Sequence, residues 1–146
     1  MIDRKWIGHT LPHTTFLVER SRLRFFAKAI GENDPVYTDE HAARAAGHPD
    51  LPAPPTFLFT AELEFGVKMA WINEAGIELG KVLHCEQSFT PHRLLYAGDT
   101  VSLTAQITDI YDKKNGALEF VVIDSVAHNQ HDELVAHLRG VIVVRH

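Results

Sequence analysis

Between Ala29 and Tyr37 the sequence AIGENDPVY sets two carboxylates, Glu32 and Asp34, and a phenol, Tyr37, around Gly31 and Pro35. Acids and a ring group this close together suit proton transfer to or from a bound substrate, provided one of them titrates near neutral pH. His is the usual residue for that task, and the stretch contains none. Tyr ordinarily titrates near ~10 and is a poor base at pH 7. The same residues also make a plain connection. Gly31 suits a helix C-terminus, Asp34–Pro35 suits a turn, and Tyr37 can pack against a buried helix.

Other chemistry-bearing residues lie further on. Glu62 and Glu64 are the acids of an otherwise apolar segment, and a carboxylate on such a helix can attack a thioester carbonyl or direct water at it. Glu64 and Lys68 also have the i, i+4 order of a helical ion pair. The strand-like run KVLHCEQSFTPHR holds His84 near its start and His92 and Arg93 at its end. Arg93, Lys113 and Lys114 are the cations placed to meet phosphate groups, and Arg is the best shaped for it. The ten histidines suggest no metal centre. His9 and His13 are separated by Pro12, His128 and His131 lie across a turn, and no third ligand accompanies either pair. Cys85 is the single cysteine, so no disulfide forms within the chain.

The elements that must position these groups change character near residue 80. HTTFLVE, His13–Glu19, reads as a short strand. In ERSRLRFFAKAIG, Leu23, Phe26, Ala27 and Ile30 fall at helical spacing, with Ser21 as cap and Gly31 as stop. TDEHAARAAG reads as a short helix capped by Thr38 and ended by Gly47. HPDLPAPP holds four prolines in eight residues, so neither a helix nor a central strand runs through it. From Thr56 to Gly76 the pattern predicts one long helix. Leu58, Ala61, Phe65, Met69 and Ile72 form its stripe, and Phe57, Leu63, Val67, Ala70 and Trp71 cover much of the remaining circumference. A helix apolar on most sides is buried. Four strands follow, with Val101, Leu103, Ala105 and Ile107 on one face, a hairpin at Asn115–Gly116 and a turn at QHDE. Strands joined by short turns pair antiparallel. The expected fold is α+β: one curved antiparallel sheet wrapped around one long buried helix, the hot-dog arrangement.

The 146 residues suit a single domain spanning 1–146. A net charge of −5 argues against nucleic-acid or membrane-surface partners. No apolar run reaches the ~20 residues of a membrane span, and the N-terminus carries no signal-peptide core. The expected location is the cytoplasm.

FAKAIGENDPVYTDEHAARAAG, LPAPPTF and FTPHRLLYAGDTVSLTAQITDIYDK resemble the MaoC-like hydratase/dehydratases, specifically the MaoC dehydratase N-terminal domain group. The resemblance spans nearly the whole chain. It implies reversible addition of water to a 2-enoyl thioester, with the acyl group carried on coenzyme A or acyl carrier protein and no other cofactor. Active relatives carry a Gly-Asp-x-Asn-Pro-x-His loop whose Asp and His form the catalytic dyad. Here Gly31, Pro35 and Val36 match, but Glu32, Asp34 and Tyr37 replace the Asp, Asn and His. The resemblance further implies a thioester site at the start of the buried helix, around Pro55, Thr56 and Phe57, where backbone N–H groups polarise the acyl carbonyl. His84 and Arg93 are the further substrate-contact candidates. The expected assembly is a homo- or heterodimer with a second hot-dog subunit. The first reading is an acyl-binding, non-catalytic member of a hydratase pair. The alternatives are a self-sufficient (R)-specific enoyl-CoA hydratase homodimer using Glu32 with His84 or His92 as base, and a thioesterase using Glu64.

Overall fold

The computed structural model describes residues 1–64 and 67–146. Strand β1, Thr14–Leu17, leads directly into helix α1, Arg20–Ala29, and a 3-10 turn over Pro35–Tyr37 precedes helix α2, Glu40–Ala45. Two helical segments follow, α3, Leu58–Glu64, and α4, Val67–Glu74. Four long strands complete the chain: β2, Val82–Pro91; β3, Thr100–Lys113; β4, Leu118–His128; and β5, Leu134–Arg145. All pairings are antiparallel, in the order β1-β3-β4-β5-β2. This is the expected α+β hot-dog arrangement, with five strands and the helical segments against one face. Register shifts at His84/Glu86 and Ile107/Asp109 supply the bulges that bend such a sheet.

Local chemistry explains most boundaries. Gly31, Gly47 and Gly76 end their helices in the left-handed region that only glycine enters without cost. Asn115 and Gly116 both have positive φ between Lys114 and Ala117, as a type I′ turn requires. Two caps differ from expectation. Asp39, not Thr38, caps α2, its carboxylate accepting from the His41 amide at 2.7 Å. Glu19, not Ser21, holds the cap position of α1 and makes no side-chain cap bond. The proline-rich segment runs beside the turn before β3, with the Ala53 amide donating to the Leu95 carbonyl and that of Ala97 to Leu51.

The helical segments are not buried all round, although the sequence pattern predicts it. Leu58, Ala61, Trp71 and Ile72 are buried, whereas Leu63, Met69 and Ala70 are exposed. Phe65 and the Val67 side chain lie outside the described residues. On α1, Leu23 and Ala27 are buried as spaced, while Ile30 and Phe25 face solvent.

Two apolar clusters line the helix-bearing face of the sheet. Phe57, just before α3, and Leu58 and Ala61 within it pack with Val101, Leu103, Ala127 and Leu138. Trp71 and Ile72 of α4 pack with Ile107, Ile110, Val121 and Ile123. Val101, Leu103 and Ile107 are buried as the alternation of β3 predicts, and Ala105 is half-buried. Beyond the second cluster the fully buried Glu119 accepts from the Ile2 amide at 2.8 Å, contacts Arg4 and meets His146 at 2.6 Å. That carboxylate ties both ends of the chain to β4.

Asp50 anchors the segment after α2 to α1. Arg20 donates to it through Nε at 3.0 Å and Nη2 at 2.6 Å, and the Leu51 amide donates at 2.8 Å. The Arg20 hydrogen bonds hold the Asp50 carboxyl below its ordinary value, ahead of an opposing desolvation effect. A lowered carboxylate stabilises the fold above the unfolded-state value and loses that contribution as pH falls through the folded-state value. Asp50→Asn is therefore expected to cost about 1 kcal/mol at pH 7, given that Arg20 remains half in solvent. Urea unfolding across pH should show the difference from the parent shrinking below pH ~4.

Candidate functional site

The loop after α1 keeps its turn and uses its acids to hold it. Gly31 has φ +73°, and the Glu32 amide donates back to the Ala27 carbonyl at 2.9 Å. Glu32 Oε1 accepts from the Asp34 amide at 2.9 Å, and Asp34 Oδ1 accepts from the Val36 amide at 3.0 Å. Both carboxylates thus cap backbone N–H groups of their own turn. Tyr37 closes the 3-10 turn, its amide donating to the Asp34 carbonyl at 3.1 Å, and its side chain is half-buried.

Where α1 and α3 run side by side they enclose an open apolar groove of about 540 Å³. Phe25, Phe26 and Ala29 line it from α1; Phe57, Thr60 and Leu63 line it from the opposite wall. Phe26 and Phe57 meet edge to face with centroids 5.5 Å apart, and this contact forms the groove floor. Ala29 is the last residue of α1, so this end of the groove lies three residues before Glu32, although no residue of that loop lines it. Thr56 and Pro55 are exposed at the start of α3. The Phe57 amide is not free for a ligand, because it donates to the Pro54 carbonyl at 2.9 Å. Phe57 contributes its ring instead.

The remaining candidates lie elsewhere. His84 sits on β2, its ring 5.2 Å from that of Phe59 and its Nε2 3.3 Å from Gln87 Oε1. His92, just past β2, pairs with His137, Nε2 to Nδ1 at 2.8 Å. Arg93 pairs with Glu133 at 3.1 Å. Among the described residues no hydrogen bond or ion pair joins Glu32 or Tyr37 to His84, His92 or Arg93. Lys113 lies over the stacked rings of Tyr111 and Phe120. Among the described residues no three His, Cys, Asp or Glu side chains converge as a metal site, and no helix is long and apolar enough to cross a membrane.

The acids of the helical segments are paired otherwise than their spacing suggests. Glu64 does not meet Lys68; it pairs with Arg22 of α1, whose Nε also reaches Glu19 at 2.7 Å. Lys68 pairs with Glu62 at 3.0 Å. Glu62 is buried, accepts from Ser125 Oγ at 2.5 Å and lies 3.5 Å from Gln87 Nε2. Glu62 and Lys68 thus pair at a separation of six residues, not at the i, i+4 spacing that Glu64 and Lys68 offer. The helical period had pointed to Glu64, and the signal for Glu62 lay in β4 and β5. Ser125 is a polar residue between the apolar Ile123 and Ala127 on the inward face of β4, and Gly140 is a glycine inside a strand. A Cβ on Gly140 would sit 3.1 Å from Gln87 Oε1 and 3.4 Å from Lys68 Nζ.

With the groove and loop in place, comparison with known proteins is decisive at the level of family. Residues 5–138 match the model for a FAS1-like dehydratase domain region. The chain belongs to that family. It is 33% identical over 145 residues to a UPF0336 protein of Streptomyces griseus, covering 99% of this chain and 95% of that one. A solved structure of the C-terminally truncated HadBC complex of Mycobacterium tuberculosis, a 3R-hydroxyacyl-ACP dehydratase, contains a similar chain. Identity is 26% and the TM-score 0.78, with 94% of this chain and 96% of that one covered. A MaoC-like dehydratase shares the fold at TM-score 0.83 and 24% identity, covering 96% of this chain and 42% of that longer one. The MaoC-like resemblance and the hot-dog fold both hold, and the chain is a hot-dog subunit of the hydratase/dehydratase type.

The buried pair makes a stability prediction that is independent of activity. Removing one partner of a buried ion pair leaves the other uncompensated, at a cost of about 3–5 kcal/mol. Glu62→Gln should approach that loss, and Lys68→Met in the same background should recover much of it. Equilibrium urea unfolding of the parent, both single variants and the double variant measures the coupling directly.

Proposed function

We propose that this chain is the acyl-binding, non-catalytic member of an enoyl-thioester hydratase or 3-hydroxyacyl-thioester dehydratase pair. The observation that carries the reading is the largely apolar groove between α1 and α3, whose Ala29 end lies three residues before Glu32. A linear acyl chain laid along Phe26, Phe57 and Leu63 would put its thioester near Pro55, Thr56 and the loop. Water addition needs a group that accepts a proton from water and one that returns a proton to the α-carbon. Glu32 and Asp34 are committed to their turn, and Tyr37 stands where active relatives have the His. His84 and His92 contact other partners, which weighs against a self-sufficient enzyme. Glu64 is bound to Arg22 and Glu62 is enclosed, which weighs against a thioesterase.

A dyad-bearing second hot-dog subunit would complete the site. Similarity to a chain of the HadBC complex supports that arrangement. So does strand β2, a ten-residue edge of the sheet exposed along most of both faces. A long open edge of this kind is a surface for strand pairing with another chain. The carrier is coenzyme A or acyl carrier protein, and no further cofactor takes part.

The purified chain alone should hydrate a crotonyl thioester at background rate. Adding a hot-dog subunit with an intact Gly-Asp-x-Asn-Pro-x-His loop should raise the rate by at least ~100-fold, the contribution of positioned acid–base groups. Glu32→Ala should leave that combined rate within a small factor. Strong hydration by the chain alone, abolished in Glu32→Ala, would overturn the reading in favour of a self-sufficient hydratase.

A further inference from the structure

One end of the groove is lined by Ala29 and Phe57, shortly before the Glu32 loop; the other is bounded by Ser21, Arg22 and Glu64. Arg22 stands near the start of α1, and Glu64 is the last residue of α3. Their ion pair therefore crosses from one wall of the groove to the other at the end farthest from the loop. Arg22 is held from a second side by Glu19 at 2.7 Å, so the crossing is anchored within α1 as well. Both charged side chains are only about one-third exposed, at 38% and 34%.

We propose that the Arg22–Glu64 pair is the end stop of the acyl groove and sets the longest chain that it accepts. The inference rests on the acyl-groove reading given above. Methylene groups gain free energy for each one removed from water, so affinity rises with chain length while new methylenes meet Phe26, Phe57 and Leu63. A chain that reaches the ion pair must either stay in water beyond it or separate two charges that are hydrogen-bonded to each other. Neither adds binding. From Phe57 to Glu64 the wall is about 10 Å long at the helical rise per residue, which corresponds to a medium-length acyl group rather than a very long one.

The experiment is titration calorimetry of the full chain with butanoyl-, octanoyl- and hexadecanoyl-coenzyme A, repeated with Arg22→Ala and with Glu64→Gln. The parent should tighten from butanoyl to octanoyl and gain nothing further with hexadecanoyl. Arg22→Ala should bind the hexadecanoyl thioester at least about tenfold more tightly than the parent does, the gain from roughly two further buried methylenes, with the butanoyl affinity unchanged. Glu64→Gln keeps the side-chain shape but loses the charge, and should shift the same way by a smaller factor. It preserves the test if Arg22→Ala does not fold. Acyl binding by the parent with an unchanged length profile in the folded variants would overturn the end stop while leaving the acyl-groove reading intact. Absence of binding for every thioester to the parent would overturn both.

Discussion

The fold depends on seating the helical residues of α3 and α4 against one face of a five-stranded sheet while the Glu62 carboxylate is buried beneath them. On the inward face of β4, Ile123 belongs to the cluster around α4 and Ala127 to the cluster around α3. Ser125 stands between them and donates to Glu62. Lys68 from the second segment and Gln87 from the edge strand converge on the same carboxylate. Apolar packing alone is tolerant of small slips. A buried acid with three partners from three elements is not, because any slip leaves a charge without its hydrogen bonds. At Gly140 of β5 an added side chain would need Gln87 and Lys68, the same two partners, to give way by a few tenths of an ångström.

With α3 so fixed, its other sides become available for different work. One side receives α1 through Phe26 and Phe57 and forms the groove. Another presents Phe59 to His84 on β2, the strand at the open edge. Two exposed apolar residues stand on the first side: Phe25 and Leu63 are 75% and 59% exposed, against 1% for Phe57 at the floor. The channel is thus apolar at its base and open to solvent above, as an acyl chain entering from water requires. Its two ends differ in kind: one lies shortly before a loop whose acids cap their own backbone, the other at an ion pair between helices.

Much of this architecture is legible in the sequence where the signal is periodic or stereochemical. The alternation of β3, the Asn115–Gly116 turn and the glycines at 31, 47 and 76 each name their structure through local physics. The turn of the Glu32 loop is legible for the same reason. The pairings of the acids are not. Glu64 and Lys68 have the spacing of a helical ion pair, yet Glu64 takes Arg22 of α1, and Lys68 takes Glu62, which also accepts from Ser125 of β4. Helical spacing likewise marks Ile30 for burial, but α1 meets the rest of the molecule through Leu23 and Ala27 and leaves Ile30 in solvent. The thioester site read from backbone amides around Thr56 and Phe57 meets the same limit. Which amide is free depends on a turn that pairs Phe57 with Pro54, and composition does not encode that turn.

The placement of the two tryptophans has a spectroscopic consequence. Trp6 and Trp71 meet edge to face, centroids 6.1 Å apart, in the cluster around α4. Neither indole lines the groove between α1 and α3. Intrinsic emission from this chain therefore watches the second helical segment and the N-terminal turn, not the channel. A melt followed at tryptophan wavelengths reports loss of the α4 cluster, and a ligand filling the groove passes almost unseen by the same light.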